Sequence, residues 1–513
     1  MALTLSLPPL DPHPANPPEI RPAQVGPWLD AALTRNPIEA ARVMADALAA
    51  TNVVSMGDTR RLELTEKYWA RADILWRRLE THFASAPQPL TGDALEAAKA
   101  ALSLAHELSV AYKRVLDHEA NKRVPFGGNR LLTTLIHRCM QCTWRILVNS
   151  YVAYAPIMPR TWLDAHRIYA FSRERGLHQR AIASGEPEST PERAYLQALL
   201  LALANPYGFL QGQLDTVIGY VQEYSHWVKL TDVAPVHRMA KAVAIIPVGH
   251  DFPPFSASKG GAIEGSKIFL LAFDLAFQIQ EQVRRLEAGG EFPVGIGRDS
   301  TSRRRYLTLL KRLLRQWAIP PARQFNRLPS RARVVMCAEL SGVWQYSRGR
   351  HGGVTTLPSE RPPLMHCQVI NHTPAGYALR QSDPNPATLR IGELIALRVE
   401  GRAGPQVAIV RWFRNTLRGS GLEFGCEILS DNPEAAAAAP ETASAGRLVP
   451  VVVMPADTAK PDAEAMPQLI VAAGAFSVDQ GVSLTRGRVT GFAVLTKLVE
   501  QGPGFEIYDF ATV

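Results

Sequence analysis

"PPARQFNRLPSRARVV", residues 320–335, is where the chain changes character. Arg323, Arg327, Arg331 and Arg333 crowd into it, and it runs directly into apolar residues. Pro320 and Pro321 close the helical pattern before it, because proline cannot continue a helix and disfavours helical backbone in the residue ahead of it. Upstream, in "RRRYLTLLKRLLRQWAI", Tyr306, Leu309, Leu310, Leu313, Leu314 and Trp317 share one face while Lys311, Arg312 and Arg315 lie opposite, the period of a helix. Downstream the period becomes two. "RVVMCAEL", "MHCQVIN", "GYALR", "ELIALRVE", "QVAIVRWF" and "LEFGCEIL" follow one another with turn residues between them. Six short strands within about 110 residues predict a small antiparallel barrel.

Working outward from this junction, residues 26–319 read as an α-helical domain and residues 1–25 as a Pro-rich extended tail. "NPIEAARVMADALAA" carries a helix start, with Asn36 as cap, Pro37 in the first turn and Glu39 placed to return a capping-box bond. In "TWLDAHRIYAFSRERGL", Trp162, Ala165, His166 and Tyr169 keep the W-x2-L-G-x2-Y spacing of a tetratricopeptide helix, without a clear second copy. The alternative is that Trp162 and Tyr169 are core aromatics on one helix. "AKAVAIIPVGHDFPP" interrupts the helices with a short strand or extended insert, and His250-Asp251 in it reads as a turn histidine beside an acidic cap. "GGAIEGSK" has the glycine separation of a P-loop, but Ser266 precedes Lys267, the wrong order for phosphate and magnesium contacts. Beyond the barrel, 320–432, the Ala-rich stretch 433–446 reads as a linker and 447–513 as a small β-rich C-terminal unit. The expected fold is multidomain α + β: an N-terminal all-α array, a six-stranded antiparallel barrel and a further β unit.

Composition narrows the function. The apolar fraction of 46% suits a globular chain, and no apolar run is long enough for a membrane span. The N-terminus lacks the pattern of a secretory signal, and five cysteines in 513 residues make no disulfide framework, so a cytoplasmic protein is expected. Cys139 and Cys142 form a lone CxxC inside a helical pattern and are read as structural. Between residues 298 and 333 stand eleven Lys or Arg and one acid, Asp299, so this band accounts for essentially the whole net charge of +9. Such a band draws in anions. No G-x-S-x-G, no HExxH and no carboxylate cluster suggests catalysis, so no enzyme, cofactor or metal is expected.

Arg323-x-x-x-Arg327 precedes the first barrel strand, and Asn371-x-Thr373-x-x-Gly376 falls in the turn before "GYALR". An RxxxR segment, then [D/N]-x-[S/T]-x-x-G, in a six-stranded barrel, resembles the PilZ domain, over about a fifth of the chain. The resemblance implies a receptor for cyclic di-GMP, a bacterial second messenger with two phosphates and two guanines. On it, Arg323 and Arg327 would grasp phosphate and guanine, Asn371 and Thr373 would hydrogen-bond the guanine, and Gly376 would let the turn close. Guanidinium suits this task because its planar fork meets guanine O6 and N7, or two phosphate oxygens, in paired bonds. Thr373 stands where the motif more usually has Ser, and the spacing from Arg327 to Asn371 is long, with "SRGRHGGVTTLPSERPP" as the extra loop. Arg331 offers a second RxxxR register with Arg327. Arg348, Arg350, Arg411 and Trp412 are further candidates for the same face.

The expected function is a non-catalytic cyclic di-GMP effector. Its helical domain would engage a protein partner, with motility, surface attachment or biofilm output as the process. The competing reading is a helical scaffold or adaptor for a pilus or motor complex whose barrel has lost the ligand. Nucleic-acid binding through the basic band is a third, weakened by the absence of any recognised DNA-reading module. Oligomeric state and ligand stoichiometry are not legible.

Overall fold

A computed structural model describes residues 3–122, 128–182, 189–210, 212–235, 241–259, 264–293, 295–297, 299–319, 325–348, 362–381, 388–416, 421–441, 448–456 and 466–512. The chain divides into two compact units, one of Met1–Ala86 with Thr91–Arg323, the other of Pro87–Leu90 with Gln324–Val513.

The first unit contains α1 (Pro22–Leu33), α2 (Pro37–Val53), α3 (Asp58–Phe83), α4 (Gly92–Asn121), α5 (Gly128–Val152), α6 (Thr161–Glu174), α7 (Pro191–Leu203), α8 (Gln213–Tyr224), α9 (Phe273–Glu287) and α10 (Ser300–Ala318). Asn36 caps α2 by accepting from the Ile38 amide at 2.9 Å, as the sequence suggested, but Glu39 pairs with Arg35 at 3.1 Å instead of closing a capping box. On α10, Tyr306, Leu309, Leu310, Leu313 and Trp317 are buried, the expected face. The array is not purely helical. A four-stranded sheet is embedded in it, ordered β1 (Lys229–Thr231), β4 (Lys267–Leu271), β2 (Val243–Pro247), β3 (Phe255–Ser256). Lys267 opens β4 rather than a helix, which removes the P-loop resemblance; Gly260 lies outside the described residues.

Four sequence features of this unit acquire structural explanations. Trp162 and Tyr169 are buried, and His166 is fully buried with hydrogen bonds to Tyr195 Oη at 2.6 Å and the Phe252 carbonyl at 2.8 Å. Asp251 accepts from the amides of Arg160, Trp162 and Leu163, so this acid caps α6 from elsewhere in the chain. The N-terminal stretch is pinned down: Leu3 and Leu5 are buried, and Ser6 donates to Asp164, whose carboxylate also pairs with buried Lys113 at 2.8 Å. Cys139 and Cys142 are buried free thiols on α5, and burial pushes the Cys139 thiol up to about 12, which suppresses thiolate chemistry. Among the described residues no helix is long and apolar enough to cross a membrane, and no cluster of His, Cys, Asp and Glu could hold a metal.

The second unit holds β5 (Leu328–Pro329), β6 (Arg333–Ala338), α11 (Glu339–Ser347), β7 (Met365–Thr373), β8 (Gly376–Gln381), β9 (Leu394–Val399), β10 (Gln406–Thr416) and β11 (Gly421–Ser430), followed by β12 (Glu434–Pro440), β13 (Val449–Met454), β14 (Gln468–Ala472), β15 (Gly481–Arg486), β16 (Val489–Gly502) and β17 (Phe505–Thr512). Strands β6 to β11 are the six read from the sequence. They pair antiparallel in the closed order β6-β7-β8-β11-β10-β9 and back to β6. Helix α11 was not anticipated; it follows β6 directly, and most of the long stretch read as the extra loop, residues 349–361, lies outside the described residues.

The C-terminal unit is more than a small β addition. Strands β12 to β17 close a second six-stranded barrel in the order β12-β13-β14-β17-β16-β15. Numbered within each barrel, both run 1-2-3-6-5-4, so the second repeats the connectivity of the first. Its first strand, Glu434–Pro440, falls within the Ala-rich stretch read as linker 433–446. Alanine favours helix in isolation, but Ala436, Ala437 and Ala438 are wholly buried between β13 and β15, and packing overrides that preference. Within this barrel, β15 and β16 form a hairpin joined at Gly487-Arg488.

One hydrophobic core is shared by both barrels, with Cys337, Val343, Trp344, Ala396 and Ile409 from the first meeting Val452, Ile470 and Ile507 from the second. Trp344 of α11 is at its centre, 2% exposed, and its Nε1 donates to the Ala436 carbonyl at 2.6 Å. Trp344→Ala should destabilise this unit by about 3–5 kcal/mol. Trp344→Phe, which keeps a ring but orphans the carbonyl, should cost about 1–3 kcal/mol. Urea unfolding followed by amide hydrogen exchange in β6 and β12 measures both, with protection falling in the two barrels together.

Candidate ligand-binding face of the first barrel

Strand β5 is only two residues long, but it decides where the arginines go. Leu328 pairs with His372 and Pro329 with Asn371, on the side of β7 whose other end carries β6. The segment is stitched to β7 by Ser330 N to Ile370 O at 3.2 Å and Val369 N to Ala332 O at 2.9 Å. Continuing that register by one residue sets the backbone of Arg327 level with Thr373. The exposed Arg327 therefore stands beside the Asn-x-Thr turn, and neither it nor Arg331 has an acidic partner among the described residues. Arg323 lies outside the described residues. Arg333, by contrast, is occupied by Glu400 at 3.1 Å.

The turn itself is a two-residue hairpin, with Thr373 paired to Gly376. Thr373 Oγ1 accepts from the Ala375 amide at 3.2 Å and lies 3.4 Å from the Gly376 carbonyl, so the hydroxyl fastens the turn. A Cβ on Gly376 would lie 2.1 Å from the Cys426 carbonyl oxygen, so β8 can approach β11 here only without a side chain. The half-buried Asn371 amide has no hydrogen-bond partner among the described residues.

Register places two further rows on the outer face. Trp412, Gly425, Ala378 and Asn371 stand opposite one another across β10, β11, β8 and β7. A Cβ on Gly425 would fall 1.8 Å from Trp412 Nε1, so the indole covers that glycine. With the indole on Gly425, Ala378 is left as a shelf between an aromatic wall and the Asn371 amide, in a row three strand spacings or about 14 Å long. The adjoining row is Arg414, Glu423, Arg380 and Gln368. Glu423 receives Arg380 at 2.7 Å and Arg414 at 2.5 Å. Arg411 is drawn off by Glu427 at 2.7 Å and by Glu500 of β16 at 2.5 Å, tying the two barrels together rather than presenting a free fork. Arg348, at the end of α11, lies over Trp344 and away from this face; Arg350 lies outside the described residues.

The structure therefore brings Arg327, Asn371, Thr373, Gly376 and Trp412 to one outer surface. Sequence reasoning missed Arg380, Arg414 and Glu423. The only trace of them is that they occupy outward positions in alternating strands, a signal shared by any solvated charge.

Burial pushes the Glu423 carboxyl up, but hydrogen bonds from Arg380 and Arg414 outweigh it and hold it below its ordinary 4.5. A carboxyl depressed by folding stabilises above its unfolded value and loses that contribution as pH falls through the folded one. Glu423→Gln should therefore be less stable than the parent at neutral pH. In urea denaturation the difference should shrink steadily below about pH 4.

Comparison with known proteins places this geometry in context. Residues 23–235 match the family model described as "Cyclic-di-GMP receptor FimW, N-terminal domain", and residues 351–435 match "Cyclic-di-GMP receptor FimW, middle PilZ domain". The second match takes in Asn371, Thr373, Gly376, Arg411 and Trp412 and begins after the arginine segment. Over 477 residues the chain is 22% identical to the Cyclic-di-GMP receptor FimW of Pseudomonas aeruginosa PAO1, covering 79% of this chain and 76% of that protein. With a helical domain and a PilZ barrel matched in order, the chain belongs to the PilZ-domain family of cyclic-di-GMP receptors.

Proposed function

We propose that the chain is a cyclic di-GMP effector that binds its ligand on the outer face of the first barrel. The observation that carries this reading is the pairing of Leu328 with His372 and Pro329 with Asn371, which sets Arg327 beside the turn. Arg323, Arg327 and Arg331 supply guanidinium forks to the phosphates and to guanine O6 and N7. Asn371, without another partner among the described residues, meets the guanine edge, and Thr373 with Gly376 fixes the turn that aims it. One guanine lies on the Ala378 shelf against the Trp412 ring. Arg411, already engaged, sets the position of β10. A hydrogen bond to a charged group contributes about 1.5–3 kcal/mol. Several of these with stacking reach the roughly 8 kcal/mol of a micromolar complex after ordering costs.

The role is one of binding rather than catalysis, exercised in the cytoplasm. The helical unit engages a protein partner whose response depends on the ligand, with motility, surface attachment or biofilm output as the process. The named receptor among its relatives supports the ligand half of this reading. Ligand binding can change that partnership only through different affinities for the two states of the chain.

Calorimetric titration with cyclic di-GMP, with GTP as control, tests the reading. The parent should bind, and Arg323→Ala and Arg327→Ala should each abolish binding; Arg327→Ala, at an exposed position, should leave unfolding within about 0.5 kcal/mol of the parent. Trp412→Ala should weaken binding about tenfold or more, the worth of one stacked base. A folded parent that gives no heat at millimolar ligand would instead support the scaffold reading.

A further inference from the structure

The second barrel carries a polar cavity that the first barrel's site does not use. It measures about 370 Å³ and is lined by Ser347 and Arg348 at the end of α11, Glu434 and Ala435 at the start of β12, and Arg486, Gly487 and Arg488 at the β15–β16 turn. Three arginines, one at the end of α11 and two on the β15–β16 turn, thus line it together with one glutamate.

The way the arginines are held matters more than their number. Arg348 lies over the Trp344 ring at 4.9 Å, and Trp344 is itself locked by its bond to Ala436 of β12. Arg486 lies over the Phe510 ring at 5.8 Å, and its approach to Glu434 is a loose 4.0 Å. A ring engages the face of a guanidinium and leaves the N–H groups at its edge to find oxygen elsewhere. Arg488 rides on a tight two-residue turn in which Gly487 takes a φ of +57°. Neither Arg348 nor Arg488 has an acidic partner among the described residues. Cations braced by aromatics around a hollow, with charge left uncompensated, make an anion receptor. Three forks against one carboxylate leave a charge matching a phosphate dianion, and the planar edges fit its oxygens in pairs. The volume lies in the range that holds small organic ligands and exceeds what a bare phosphate fills.

We propose that this cavity is a second ligand site, taking a phosphate-bearing small molecule of mononucleotide size. Its phosphate sits among Arg348, Arg486 and Arg488, and the organic portion lies toward Ser347 and Ala435. The site is independent of the cyclic di-GMP face, whose residues contribute nothing to it.

GMP and pyrophosphate, titrated calorimetrically into the full chain at physiological salt, test the proposal, with guanosine as the uncharged control. Both anions should bind and guanosine should not. Arg488→Ala, in an exposed turn, should weaken GMP about tenfold or more without changing the unfolding transition. Arg348→Gln should act in the same direction, and Arg327→Ala should leave GMP binding unchanged. No heat with either anion at millimolar concentration would overturn the site. So would GMP binding that Arg327→Ala removes and Arg488→Ala spares, because the anion would then be occupying the first barrel.

Discussion

Two backbone pairs, Leu328 with His372 and Pro329 with Asn371, hold the arginine segment against the first barrel. Without them the arginines would be a loose basic stretch at the end of α10, and self-repulsion would keep them apart. With them, one edge of β7 becomes a fixed rail. Arg327 is delivered at the end of that rail where the hairpin turn presents Asn371 and Thr373. Gly376 serves the same arrangement by letting β8 close on β11 where any side chain would collide with the Cys426 carbonyl. The site is thus built on strands, whose spacing is set by the barrel.

Closure of the barrel explains why the outer face has its pattern. Inward residues fill the core, so the outward row is free to vary, and Trp412 folded over Gly425, then Ala378 and Asn371, form a wall, a floor and a polar edge. Electrostatics sorts the nearby arginines into two groups. Arg380, Arg411 and Arg414 are tied to carboxylates that the sheet itself supplies. Arg327 and Arg331 have none among the described residues, which suits cations reserved for an anionic ligand. The second barrel repeats the connectivity of the first but has no RxxxR segment ahead of its first strand. Its uncommitted arginines gather at a different place, around the end of α11.

Most of the first barrel was legible because its strands alternate cleanly and proline and glycine punctuate them. The turn motif was legible because Asn, Thr and Gly at that spacing have few other uses. Helix α11 was not, since "ELSGVWQYS" is too short for a helical period to stand out, and Glu339 at φ 65° enters it by a turn no local pattern announces. Strand β12 was hidden because five consecutive alanines carry no period of two, and only the neighbours β13 and β15 decide their conformation. The embedded sheet of the helical unit was half seen, as the apolar run that became β2, while β1 and β3 are too short to announce themselves and β4 runs almost directly into the apolar start of α9. The Arg380–Glu423–Arg414 cluster depends on three strands meeting in register, which no single segment encodes.

The most direct measurement is a crystal structure of the chain grown with saturating cyclic di-GMP. The account predicts a guanine lying on Ala378 beside Trp412, its edge bonded to Asn371, with the Arg327 guanidinium on a phosphate or on the O6 and N7 edge. A ligand found on any other surface, with Arg327 left in solvent and the shelf bare, would contradict it.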